Sequence, residues 1–511
     1  MKIAMRRLAR TSALAAAAAA LFGLSAGASW GAEAYDVAAD ANSMHATTKY
    51  LGAQAWWSAG YTGKGIDVAL IDSGVSPVQG LGGSGKVIYG PDLSLESQAP
   101  NLRNLDAFGH GTFMAGLIAG RDDTESSSLA SAPADVYRGV APDARIVSLK
   151  VGTADGGTDV SQVIAAINWV VQHARDPGLN IRVISLSYGT NTTQASGVDP
   201  LAYAVEQAWK KGIVVVAAAG NTGYQRGNSA PGLANPGYNP YVIAVGGSDS
   251  METAATKDDR VGTYSASSAG CGSCKKPDFV APGSHLQGLR VPNAWVDAFH
   301  PEGRLSDRYF RGSGTSQAAA VMAGAVALVL QKYPTMSPDL VKRYFASNAG
   351  KLASFDSEAQ GAGQIRLGAM LAKVPQWSYT GQKFAAAAGT GSLERSRGQD
   401  HLTRDGVVLT GEQDIFGQPF DAAAIAGAAA AGSSWSGGNW NGNEWTGSSW
   451  SGSSWSGSSW SASSWSGSSW SGSSWSGSSW SGSSWSSSSW SGSSWSGSSW
   501  SGKSWAYADW G

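Results

Sequence analysis

The residues with chemical potential sit in four short stretches. Ser316 lies in Gly312-Ser313-Gly314-Thr315-Ser316, which feeds an almost wholly apolar run ending at Leu330. The run is long enough for several turns and free of proline, so it predicts a buried helix with Ser316 in its first turn. Backbone N–H groups there lack intrahelical partners, and the helix dipole favours negative charge. A serine at that point can be a nucleophile whose developing oxyanion meets an N–H; it can equally be a helix N-cap. Upstream, Ile66–Ile71 is a short apolar run ending in Asp72-Ser73-Gly74-Val75. That predicts a buried strand with an acid at its carboxyl edge, where open α/β sheets place their sites. Val214-Val215-Val216-Ala217-Ala218-Ala219 ends in Gly220-Asn221 and predicts another strand, tipped by an amide. His110, in Asp106-Ala107-Phe108-Gly109-His110-Gly111-Thr112, is flanked by glycines and opens an apolar helical run to Gly120. The chain order is Asp, His, Asn, Ser.

Together these stretches resemble the subtilisin-like serine proteases (subtilases, peptidase family S8). The motifs are Ile71-Asp72-Ser73-Gly74, Gly109-His110-Gly111-Thr112, Ser185-Leu186-Ser187-Tyr188-Gly189, Ala218-Ala219-Gly220-Asn221 and Gly314-Thr315-Ser316. Asp, His, Ser is the order subtilisin itself uses. The resemblance covers about residues 50–375 and implies an α/β, three-layer fold with a mainly parallel central sheet. It also implies an endopeptidase acting on peptides or proteins. Ser316 would be the nucleophile, His110 the base and then acid, and Asp72 the group that orients His110. Asn221 and the Ser316 N–H would bind the oxyanion. Ser187, Tyr188 and Gly189 would pair with the substrate backbone and form one wall of the primary pocket; Ala218, Ala219 and Gly220 would form the facing wall. Both walls offer small residues and backbone, as a broad apolar pocket requires. No acid stands between Val214 and Thr222 to receive a basic substrate residue. This chemistry needs no cofactor. Calcium sites are common in the family, so structural calcium is an option, but its ligands are not matched residue by residue here and the metal assignment is unknown. Gln317 and Ala320 stand where the family often has Met and Pro, which bears on pocket shape and not on mechanism.

Gly314-x-Ser316-x-Ala318 also looks like an α/β-hydrolase nucleophile elbow. That fold needs its acid and then its histidine after the serine, and the only histidine after Ser316 is His401. A rival of another class is a cell-wall or glycan-binding protein on an inactive protease fold. All four catalytic side chains are present, and only an activated serine reacts with a fluorophosphonate.

The elements that must position these groups follow from the rest of the chain. Residues 1–34 open with Lys2, Arg6, Arg7 and Arg10 and continue into an Ala/Leu run with A-x-A sites at Ala26/Ala28 and Ala32/Ala34, the pattern of a secretory signal peptide. Its removal takes four basic residues and Glu33, leaving 32 basic and 36 acidic residues, a net charge of −4. That is too mild to call for nucleic acid or a membrane surface. No later stretch has the 18 or so apolar residues of a membrane span, so the mature protein is expected outside the cell, with cell-wall association an option. Residues 35–55 read as a short lead: about twenty residues cannot bury the core of a folded prodomain. The peptidase domain is expected over 56–375. Strand-like runs at 66–71, 145–149, 182–186, 213–218 and 242–245 alternate with helix-like runs at 159–175 and 200–211, which argues βαβ units.

Cys271 and Cys274 are the only cysteines. In a secreted chain they are expected to bond to each other; a redox pair is the alternative. Residues 376–432, rich in Ala, Gly and mixed polar residues, read as a linker. From Ser433 a unit near Ser-Gly-Ser-Ser-Trp places Trp at every fifth position from Trp435 to Trp510. Five matches neither the helix nor the strand period. A Ser/Gly chain has little besides those rings to offset ordering entropy, so 433–511 is expected to be a disordered, low-complexity repeat tail. Its partners would be wall glycan or other copies of the tail.

Overall fold

Continuous runs of Val, Ile, Leu and Ala make strands that are buried on both faces, as a parallel sheet covered by helices requires. The fold is seen in a computed structural model, which describes residues 35–445 apart from 98, 100, 124–128, 224–231, 269–272 and 405–406. The signal-peptide reading, and the repeats from 446 onward, lie outside the described residues. The strands are β1 (Asp67–Asp72), β2 (Val87–Asp92), β3 (Arg145–Lys150), β4 (Ile181–Leu186), β5 (Val214–Ala218), β6 (Ile243–Asp249), β7 (Arg260–Val261) and β8 (Phe279–Pro282). Their order is β2-β3-β1-β4-β5-β6-β7, with β8 also pairing β6. Every pairing is parallel except β6 with β7. The chain steps from β1 to β3 in one direction and from β4 to β5 in the other. Right-handed crossovers therefore put their helices on opposite faces, and β1 lies at the switch point.

The helices used below are α1 (Met44–Leu51), α2 (Ala53–Ser58), α3 (His110–Ala119), α4 (Val160–His173), α5 (Pro200–Lys210), α6 (Thr315–Lys332), α7 (Pro338–Ala346), α8 (Leu393–Arg397) and α9 (Ala422–Ala431). On one side α3 packs on α6, which lies across β4, β5 and β6; on the other α4 packs on α5. Every residue of α6 from Thr315 to Leu330 is buried, so this helix is the spine of the core. The amphipathic α4 begins with a capping box between Asp159 and Gln162. α5 and α7 start with Asp199-Pro200 and Ser337-Pro338, an oxygen cap followed by a residue with no N–H to orphan. The five predicted strands and two predicted helices in this region are all present, displaced by no more than a few residues at their ends.

Two boundaries differ from the sequence expectation. Residues 35–55 are not merely a lead to a domain starting at 56. α1, capped by Ser43, buries Met44 and Leu51, and Asp40 pairs with Arg311 at 2.9 Å. Trp56 in α2 is fully buried and its indole N–H donates to Leu367 O at 2.8 Å. The lead is too short to fold alone, but it does not have to: its apolar side chains join a core already built by the larger sheet.

The second correction concerns 376–432 and the start of the repeats. This segment is folded, not a linker. Leu393, Leu402, Leu409, Ile415 and Phe420 are buried. Arg397 is buried as well, forming an ion pair with Asp159 at 2.6 Å. α9 packs on α5. The first three repeat tryptophans belong to this layer and not to a disordered tail. Trp435 donates its indole N–H to Ala165 O of α4 at 2.9 Å. Trp440 and Trp445 meet edge to face with centroids 5.2 Å apart, each ring almost wholly buried. Scattered buried side chains without a period of 2 or 3.6 carry no signal in a pattern search, which is why the segment reads as a linker.

Candidate active site

Asp72 is the last residue of β1, and β3 and β4 pair on either side of it. Its Oδ1 lies 2.6 Å from His110 Nδ1. The same oxygen accepts the Ser73 N–H at 2.8 Å. With Asp72 as the carboxylate, the proton in the 2.6 Å contact is on Nδ1 and His110 donates it to Asp72. His110 is the first residue of α3, and the approach of α3 to β1 depends on Gly111. A Cβ there would stand 2.1 Å from Gly74 O and 3.1 Å from Asp72 Oδ1. Gly109, at φ +104°, turns the chain into the helix.

Asp106 and Ser73 escape a reading that seeks only triad residues. Asp106 Oδ1 accepts the Gly109 N–H at 2.7 Å and the Ser73 hydroxyl at 2.8 Å, while Oδ2 accepts the Thr112 N–H at 2.7 Å. Ser73 Oγ in turn accepts the Gly111 N–H at 2.9 Å. One carboxylate and one hydroxyl thus close three of the orphan donors at the start of α3, those of Gly109, Gly111 and Thr112, and fix the helix to the end of β1. The signal was available: an acid four residues before a glycine-flanked histidine, at the entry to a helix.

Burial dominates the electrostatics. Asp72 and His110 are respectively 1% and 0% exposed. Burial pushes the Asp72 carboxyl up, opposed by its hydrogen bonds from Ser73. It holds His110 well below the ordinary imidazole value, with the Asp106 charge pulling the other way. Resting His110 is therefore neutral and able to accept a proton on Nε2.

Ser316 is the second residue of α6, and the N-cap is Gly314, which has no side chain to cap with. The alternative reading of Ser316 as an N-cap is thereby set aside. Ser316 Oγ is buried and has no hydrogen-bond partner among the described residues; catalytic hydrogen bonds are often long before substrate binds. Asn221, just past β5, is held by its oxygen: Oδ1 accepts both the Thr315 N–H and the Thr315 hydroxyl at 2.9 Å. Two donors on one atom fix the amide's orientation and turn Nδ2 the other way. Nδ2 lies 3.4 Å from where a Cβ on Gly314 would stand, beside the backbone that leads into Ser316.

Ser187-Tyr188-Gly189 follows β4, and Ala218-Ala219-Gly220 begins at the last residue of the neighbouring β5; the two strands are in register at Leu186 and Ala217. All six residues are buried. Ser187 Oγ donates to Ser316 O at 3.4 Å. A Cβ on Gly189 would stand 2.6 Å from Ala234 Cβ, and one on Gly220 would stand 3.2 Å from it, so Ala234 backs both segments. Cys274 is disulfide-bonded; Cys271 lies outside the described residues. Among the described residues no group of three or more His, Cys, Asp or Glu side chains is arranged to hold a metal ion.

A family model described as the subtilase family matches residues 63–364. This chain belongs to the subtilase family. Serine protease AprX of Bacillus subtilis (strain 168) is 36% identical over 307 residues, covering 60% of this subtilase and 65% of AprX. Subtilisin DY of Bacillus licheniformis is 32% identical over 309 residues, 60% of this chain and 91% of that protein. Subtilisin E of Bacillus subtilis (strain 168) is 32% identical over 307 residues, 59% and 65% respectively. All these matches span about three fifths of this subtilase, the share of the chain that also matches the family model.

Proposed function

We propose that this subtilase is a secreted serine endopeptidase using Asp72, His110 and Ser316, with Asn221 as an oxyanion donor. The observation that carries the reading is the buried 2.6 Å contact between Asp72 and His110, built at the sheet's switch point. Ser316 Oγ attacks the scissile carbonyl while His110 Nε2 takes its proton. The tetrahedral oxyanion accepts from Asn221 Nδ2 and the Ser316 N–H. His110 then returns the proton to the departing amine, leaving an acyl-enzyme on Ser316. Water, deprotonated by His110, releases the acid and restores the serine. Asp72 holds the imidazole and stabilises its charged form. Each step is a proton or acyl transfer, so the chemistry calls for no cofactor. Hydrolysis of an internally quenched peptide by the purified chain tests the assignment; an intact peptide after prolonged incubation rejects it.

Asn221→Ala should lower kcat by about 10²–10³ with KM little changed, because the lost hydrogen bond forms to the oxyanion and not to the resting substrate. Steady-state kinetics on one peptide separates the two constants. The small, uncharged walls at 187–189 and 218–220 support an apolar or aromatic preference at the residue before the cleaved bond. A peptide-library profile reads this directly, and a profile led by Arg or Lys would contradict it.

For the repeats the reading is that they hold the enzyme on extracellular wall glycan. Regular tryptophans offer flat apolar faces that suit sugar rings, and many weak contacts on one chain add through effective concentration. Sedimentation with purified cell wall compares the full chain with a 1–445 truncation. The cut falls after Trp445 because Trp435, Trp440 and Trp445 are buried in the folded layer. The full chain is expected in the pellet and the truncation in the supernatant. Equal partitioning would remove the anchoring role, and concentration-dependent assembly of the full chain alone would replace it by self-association. Among the described residues no helix is long and apolar enough to cross a membrane.

A further inference from the structure

Two loops flank the catalytic end of β1, and one distant segment holds both. Because β1 is bordered by β3 and β4, the loops that follow those strands leave the sheet on either side of Asp72. The first runs from Val151 to Asp159 and lies against the site: a Cβ on Gly152 would stand 3.3 Å from Ser73 Cα. The second begins with the wall residues Ser187-Tyr188-Gly189 and continues through Thr190 to Gln194. Residues 392–402, which include α8, touch both loops. On the first, Arg397 Nε donates to Asp159 Oδ2 at 2.6 Å, with both side chains fully buried. Leu402 Cδ1 lies 3.1 Å from where a Cβ on Gly157 would stand. On the second, the Thr190 hydroxyl donates to Ser396 O at 2.6 Å and the Asn191 N–H to Asp400 Oδ2 at 3.0 Å. The Gln194 amide is held at both ends by the Ser392 backbone, donating at 3.1 Å and accepting at 2.9 Å.

We propose that residues 392–402 are a buttress that sets the spacing of the two loops, and that Arg397 is a positioning residue for extended substrates. The inference rests on the peptidase reading above. Thr190 follows Gly189 directly, so a shift at Ser396 is passed to the substrate wall within one residue. Arg397 and Ser396 are adjacent, so one rigid turn fixes both loops at once. A guanidinium forked onto a carboxylate in a dry interior supplies geometry more than stability. On the peptidase reading a small ester needs only Ser316 and the pocket beside it, whereas a longer peptide would extend past the Ser187-Tyr188-Gly189 wall and between the two loops. Misplacement by about 1 Å away from the reacting atoms can cost roughly 10²-fold.

The test uses the full chain and two variants, Arg397→Ala and Asp400→Ala, each checked for native near-UV circular dichroism. KM and kcat are measured on a fluorogenic hexapeptide and on a single-residue p-nitrophenyl ester. The expected result is a fall of about 10–100-fold in kcat/KM on the hexapeptide, carried by KM and at least about tenfold larger than the fall on the ester. Equal falls on both substrates would overturn the proposal and leave the segment a purely structural role; no fall on either would overturn it as well. If Arg397→Ala does not fold, Asp400→Ala leaves the Arg397–Asp159 pair intact and supports or overturns the proposal by the same comparison of hexapeptide with ester. A wild-type chain that cleaves neither substrate would fail the peptidase reading first and the buttress with it, an outcome distinct from unequal or equal losses in the variants.

Discussion

Ser316→Ala is expected to abolish peptide hydrolysis, with a loss on the order of 10⁶ in kcat. The side chain sits in the first turn of α6, with its hydroxyl buried and no hydrogen-bond partner among the described residues. A buried hydroxyl left unmatched costs free energy, and that cost is accounted for when the atom is kept ready for a substrate. Alanine removes only the oxygen, so the helix, whose N-cap is Gly314, should keep its start. The variant should therefore fold and bind peptide with near-native KM. What survives is the modest rate enhancement that an oxyanion site and substrate binding give without a nucleophile. Purified variant retaining more than a few per cent of wild-type kcat would show that another group carries the reaction.

Asp72→Ala is expected to lower kcat by about 10⁴-fold, less than loss of the serine. Burial already disfavours a charged His110, and the imidazolium must form each time Ser316 gives up its proton. Asp72 Oδ1, at 2.6 Å, offsets that charge and fixes the tautomer that leaves Nε2 as the acceptor. With the carboxylate gone, Asp106 is the remaining acid whose charge raises His110, and it is already engaged by Ser73, Gly109 and Thr112. Some general-base capacity should persist, which is why the loss stops short of that for Ser316→Ala. Kinetics on the same peptide, with circular dichroism to confirm the fold, checks this. A loss under about tenfold would mean that Asp72 does not act on the imidazole during turnover.

Much of the site is legible in the sequence, for a physical reason. A buried parallel strand must read as an unbroken apolar run, so the first polar residue after it marks the sheet edge. Asp72 and Asn221 stand out that way. A glycine pair beside a histidine marks a close backbone approach, and Gly111 indeed packs on Gly74 O. The support behind these residues is not legible, because it is made of contacts between parts of the chain far apart in sequence. Asp40 meets Arg311, and Asp159 meets Arg397. Neither pair produces a periodicity, and each reads as a pair of ordinary surface charges. The same holds for Trp435, Trp440 and Trp445. Their spacing of five has no meaning on a helix or strand, and their burial depends on Ala165, Phe416 and Phe420 being brought to them. Asp106 is the one missed residue that local sequence could have exposed, as an acid at the entry to a helix led by His110.

Whether Ser316 is an activated nucleophile can be measured by covalent labelling, without reference to any substrate. The purified full chain is treated with a fluorophosphonate, digested, and mapped by mass spectrometry. One adduct per chain on the peptide containing Ser316, absent from Ser316→Ala and from protein unfolded before treatment, is the predicted result. A folded, purified chain that takes up no label, or takes it on a serine other than Ser316, would contradict the assignment of Ser316 as the nucleophile.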